Sequence, residues 1–141
     1  MATINASINI TSDIPSSGFS LSKTMTMTKA GTVAGIENSN GLGVKKLAAT
    51  TAVVLELAAD ATASGANKLY IRNTGSNKAE HVKISFNASA SADTTTENIG
   101  RLYGGDWMLI PWEANGTTHN VVAAPSTADE VTTIEYMTFH E

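Results

Sequence analysis

Residues 102–112 read LYGGDWMLIPW, and the fold turns on how this stretch is read. Gly104-Gly105-Asp106 is turn chemistry, because glycine enters the positive-φ region without steric cost. Behind it come Trp107, Met108, Leu109, Ile110 and Trp112, a short apolar run in which Pro111 stops any helix. Both tryptophans of the protein lie here, five residues apart, and large aromatics contribute the most burial per residue. The pattern predicts a turn feeding a strongly buried strand, with Pro111 at its end or at a bulge. The stretch contains no nucleophile–base pair, metal-ligand cluster or phosphate loop, so it reads as scaffold.

Outward from it, the whole chain has the composition of an all-β protein. At 141 residues it is long enough for one domain with a real core. Hydrophobic residues make up 42% and charged residues only 16%, so the surface must be built from Ser, Thr, Asn and Gly. The net charge is −4, the nine basic residues are scattered, and Lys45-Lys46 is their one adjacent pair. Nucleic acid therefore has no electrostatic footprint to bind. The absence of cysteine excludes disulfides and suits folding in a reducing cytoplasm. Residues 1–20 lack the charged start and apolar core of a signal peptide, and no run approaches the ~20 apolar residues of a membrane helix. A soluble protein without a membrane partner is expected.

From the start of the chain, Ile4, Ala6, Ile8 and Ile10 alternate with Thr3, Asn5, Ser7 and Asn9, the period of a half-buried strand. A Ser/Gly/Pro segment follows to Ser20. An edge strand of the same domain and an arm docking on a neighbouring subunit both satisfy this pattern. Residues 21–29 alternate again, with Leu21, Met25 and Met27 on one face, and read as a core strand. Residues 30–46 are punctuated by glycine and read as loop; their G-x-G lacks the spacing of a phosphate loop. Over residues 47–63 a strand to about residue 58 is expected, with room for a helical turn near Ala58–Ala63. Leu69 and Ile71, then Val82, Ile84 and Phe86, alternate on either side of an Asn-Thr-Gly-Ser-Asn turn and read as a β-hairpin. Residues 87–96 form a polar tract expected as an exposed loop. Further strands are expected over 97–102, 117–124 and the closing 130–141, the last carrying apolar groups on both faces. Eight to ten short strands give an antiparallel β-sandwich, jelly-roll-like or Ig-like, over residues 21–141, with an extended N-terminal arm over residues 1–20.

The chemistry of sites is thin. His81, His119 and His140 have no local zinc spacing, and the acids lie on separate loops without an EF-hand run, so no metal, no cofactor and no catalytic residue is assigned. The Asn-x-Ser/Thr sequences at Asn5, Asn9, Asn87 and Asn115 are what chance yields in a chain this rich in those residues. Trp107 and Trp112 could form a stacking platform for sugars, but their apolar surroundings favour core positions.

Several stretches together resemble small virion structural proteins of tailed bacteriophages, particularly those of marine cyanobacteria. They are LSKTMTMTKAGT (21–32), GLGVKK (41–46), KLYIRNTGSNKAEHVKISF (68–86), IGRLYGGDWMLIPW (99–112) and TIEYMTFHE (133–141). The resemblance covers most of residues 21–141 and implies a non-enzymatic component of the virion, present in many copies and assembled in the host cytoplasm. Within that class a capsid decoration (cement) protein is expected, a homotrimer whose partner is the major capsid protein or another virion protein. The N-terminal arm would pair with a neighbour by strand addition, with Ile4, Ile8, Ile10, Ile14 and Phe19 as its interface residues. The alternative is a tail, neck or fibre-associated host-recognition module that binds surface glycan. An enzyme has no motif to rest on.

Overall fold

Alternating apolar and polar residues rich in Val, Ile and Thr suit pleated, half-buried surfaces, and they form eleven strands among the described residues. The computed structural model describes residues 3–14, 18–48, 52–56, 58–61, 63, 65–87, 98–115, 118–126 and 131–141. In chain order the strands are β1 (Ile4–Ser12), β2 (Phe19–Met27), β3 (Asn38–Ser39), β4 (Gly43–Leu47), β5 (Val53–Glu56), β6 (Lys68–Asn73), β7 (His81–Asn87), β8 (Asn98–Tyr103), β9 (Trp107–Pro111), β10 (Asn120–Pro125) and β11 (Thr132–His140). A 3₁₀ turn, Ala58–Asp60, falls where the sequence leaves room for a helical turn.

The fold is all-β, with antiparallel sheets in a sandwich-like arrangement. One sheet runs β5-β10-β7-β8; in the other β3 and β4 both pair with β11, followed by β6 and β9. The pairing is nested: β4 with β11, β5 with β10, β6 with β9 and β7 with β8. Leu69 and Ile71, Val82 and Ile84, Val121 and Ala123, and Ile134 meet between the sheets with Leu47, Leu102 and Trp112 in one apolar core.

Nesting corrects the expected hairpin. β6 lies between β11 and β9, so both of its edges are taken, and β7 belongs to the opposite sheet. One buried and one wet face is what two strands facing each other across a core also require, so alternation could not separate the two arrangements. The expected buried strand is corrected as well. β9 is an edge strand with half-exposed side chains, whereas all six residues of β10 are buried. The glycine-rich segment read as loop contains β4, and of the strand expected from residue 47 to about 58 the described residues show Val53–Glu56. Most of the 87–96 tract lies outside the described residues.

Two changes of sheet meet at one corner: the connection from β6 to β7 and the Gly104-Gly105-Asp106 turn from β8 to β9. Asn73, 2% exposed, organises it. Its Nδ2 donates to the Leu102 carbonyl at 3.0 Å and its Oδ1 accepts from Gly75 N–H at 2.9 Å. Its backbone pairs with Asp106 and Gly105 at 3.0 and 2.9 Å. Such bonds replace the ladder that peptides lose on leaving a sheet.

β1 and β2 stand apart as a two-stranded ribbon of nine antiparallel pairs, bonded to neither sheet of the sandwich. The core strand expected over residues 21–29 runs instead over Phe19–Met27 and is the partner of the N-terminal segment. The expected lone arm is half of a hairpin.

Candidate interaction surface

Directly opposed residues of an antiparallel pair share a face. In the ribbon, Ile4↔Met27, Ala6↔Met25, Ile8↔Lys23, Ile10↔Leu21 and Ser12↔Phe19 therefore build one side, apolar except for Ser12 and the single charge of Lys23. Asn5↔Thr26, Ser7↔Thr24, Asn9↔Ser22 and Thr11↔Ser20 build the other, entirely from Ser, Thr and Asn. Cross-strand bonds tie that polar side together: Ser7 Oγ to Thr24 Oγ1 at 2.8 Å, and Thr26 Oγ1 donating to Asn5 Oδ1 at 2.9 Å.

The structure places four of the five expected interface residues, Ile4, Ile8, Ile10 and Phe19, on the apolar side, and Ile14 in the tip loop, 91% exposed. Ile8, Ile10, Phe19 and Met25 are each 40–49% exposed. Leu21, half-buried, and Met25, exposed, both read from sequence as core, belong to the same face. The signal that could have found them was present: both strands carry the same alternation, so pairing them collects both apolar rows on one side.

The ribbon's base is held to the sandwich. Met27 is buried, and its carbonyl accepts from Ile36 N–H at 3.1 Å. Lys29 pairs with Glu37 at 3.0 Å. The Glu141 carboxylate accepts from Ala30 N–H at 2.5 Å and Ala66 N–H at 2.9 Å. These backbone bonds, with Lys29 and Lys68 nearby, hold the Glu141 carboxyl below the usual carboxylate range.

Between the ribbon and β9 runs an open, mainly apolar groove of about 490 Å³. Ala6, Ile8, Lys23 and Met25 wall it on the ribbon side, and Trp107 and Leu109 line the β9 side. Trp107 is 51% exposed, although the sequence favoured a core position for both tryptophans. Trp112 alone keeps that place, 1% exposed, with its indole N–H donated to the His119 carbonyl at 2.9 Å. On the far side of Trp107 a shallow concavity is formed with Tyr70, Arg72 and Gly105. Arg72 reaches Glu135 at 3.8 Å.

The titratable groups elsewhere serve the fold. The His81 and Tyr103 rings pack at a tilt of 51° with centroids 5.2 Å apart. Burial, with Arg101 and Lys83 adding to it, lowers the His81 pKa. No group of three or more His, Asp or Glu side chains among the described residues is placed to hold a metal ion. No helix of the described residues is long and apolar enough to cross a membrane. No family model, curated protein or solved structure matches the chain.

Proposed function

We propose that this chain is a non-enzymatic structural subunit of a phage particle, a capsid decoration (cement) protein that stabilises the shell as a homotrimer. The observation that carries the reading is the ribbon, whose apolar face stands outside the sandwich and, among the described residues, lacks a cover along its outer half. Two-stranded hairpins are marginal in water, and their apolar side needs another surface to bury against. A multi-copy shell subunit supplies such surfaces, and the sequence resemblance points to the same class.

The strand order supports a jelly-roll reading over an Ig-like one. Counting β4 to β11 as eight strands, the first, eighth, third and sixth form one sheet and the second, seventh, fourth and fifth the other. That order follows from rolling one long hairpin, and viral capsid domains share it with lectins and cupins. The fold alone therefore leaves several activities open; the ribbon favours the assembly role. Because β1 already pairs with β2, its contact with the capsid protein runs through the apolar face and the free ribbon edges.

The test is binding of the purified chain to shells that lack it. Saturable binding at hundreds of copies per shell is expected, and Ile10→Ser/Phe19→Ser is expected to abolish most of it. A protein indifferent to shells, or found at a few copies per tail, overturns the reading. Trp107, exposed beside Tyr70 and Arg72, supports a second reading, recognition of surface glycan. Its test is Trp107 fluorescence across a panel of oligosaccharides, where no saturable response in any sugar defeats it.

A further inference from the structure

Copies of this chain have a route to one another through the ribbon. Its base half stands over β9 and leaves the groove between Ile8, Met25 and Trp107, while its outer half ends in Ile10, Ile14 and Phe19, which nothing among the described residues covers. We propose that the ribbon tip of one copy seats in the groove of a second, so that copies join head to tail. The inference concerns how subunits meet; it draws on the same ribbon as the shell contact proposed above and shares Phe19 with it.

Charge sets the direction. Asp13 and Lys23 are the only charged side chains in residues 1–28. Asp13 lies at the tip and Lys23 lines the groove. The ion pairs Lys29–Glu37 and Arg72–Glu135 leave both of them out. A tip entering a neighbour's groove carries its Asp13 towards that neighbour's Lys23.

The same residues disfavour stacking two ribbons face to face about a two-fold axis. Ile8↔Lys23 is the fifth of the nine pairs, so a stack centred on the ribbon buries two lysines against each other. The ribbon is also too small for that contact. Nine residues at about 3.3 Å and two strands give a face of about 300 Å², so two opposed faces cover roughly 600 Å². Specific interfaces begin at about 1,200 Å². Head-to-tail docking engages each chain twice, once through its tip and once through its groove, and adds Trp107 and Leu109 to the buried surface. Contacts of this kind close into rings when the rotation permits.

The experiment is native mass of the full chain and of two variants at exposed positions, Trp107→Ala for the groove and Ile14→Ser/Phe19→Ser for the tip. The wild type is expected at a multiple of 14.7 kDa and each variant alone at the single-chain mass. An equimolar mixture of the two variants retains one intact tip and one intact groove, and is expected to form dimers and nothing larger. A monomeric wild type, an oligomer that survives both variants, or a mixture that stays monomeric overturns the proposal. Asp13→Lys and Lys23→Asp test the same contact without removing apolar surface. Each alone should weaken association about ten-fold or more, and the double reversal should restore it; equal loss in the double variant counts against the pairing. A monomer that still coats shells defeats this inference and leaves the decoration reading standing, whereas an oligomer that ignores shells does the reverse.

Discussion

Gly104 shows how one residue holds the corner where the chain changes sheets. A Cβ built there would lie 2.5 Å from the Asn77 carbonyl oxygen and 2.7 Å from that of Gly75, both backbone atoms that cannot swing away. Gly104→Ala is therefore expected to cost about 1–3 kcal/mol in denaturant unfolding through overpacking. An unchanged midpoint would mean that the corner gives way more easily than its bonds suggest. Gly105 is needed for a different reason, its φ of 89°. Trp112 works inside the core, where its indole N–H satisfies the His119 carbonyl. Trp112→Phe removes that donor and part of the packing, for an expected loss of about 1–3 kcal/mol. Trp107→Phe should leave stability within about 0.5 kcal/mol and remove the quencher-accessible fluorescence. The sequence presents both tryptophans in one apolar stretch; their odd spacing in an extended segment, with Trp107 on the outer side of the edge strand β9, separates their fates.

Among the elements, β5 and β11 are joined across the sandwich by Asn40. Its Nδ2 donates to Glu56 Oε2, and its Oδ1 accepts from Thr138 N–H at 2.7 Å. Burial raises the Glu56 carboxyl above its ordinary value of 4.5; Asn40 and His140 pull it down and Asp60 pushes it up. The folded state thus keeps this proton to a higher pH than the unfolded chain does. Stability from this group is greatest below pH 4.5 and declines as pH rises through the raised folded value. Glu56→Gln keeps an acceptor for Asn40 and cannot ionise. It should match or exceed the wild type at pH 7, by up to about 1 kcal/mol given solvent screening, and flatten that decline. Denaturant titrations at pH 4 and pH 7 measure both effects, and a variant clearly weaker at pH 7 would show the charge itself to be stabilising. This link was not legible in sequence, because Asn40 sits in a glycine-rich segment that reads as loop.

For the molecule as a whole, nesting sets the kinetics of folding. β4 pairs residues 43–47 with residues 132–136, so the outermost ladder forms between the ends of most of the sandwich. Loop closure of that span must come before the contacts that reward it, which places refolding on the order of milliseconds to seconds. A stopped-flow experiment in which the full refolding amplitude is already lost in the mixing dead time would contradict this order of events. The ribbon follows a different logic. It joins residues close in sequence, and its apolar side has no complete cover among the described residues.

Period-two alternation identified most of the strands, and glycine, proline and asparagine clusters identified most of the turns, because both are local preferences of the backbone. The same alternation marked Ile4, Ile8 and Ile10 as one apolar row. It did not say which strand lies beside which, since alternation specifies the face of a strand and not its neighbour. That choice was made by the tertiary structure. Burying Leu69, Ile71, Val82 and Ile84 in one core sets β6 and β7 in opposite sheets. Pairing residues 19–27 with 4–12 outside both sheets puts Met25 on an open surface while Met27, at the ribbon's base, stays buried.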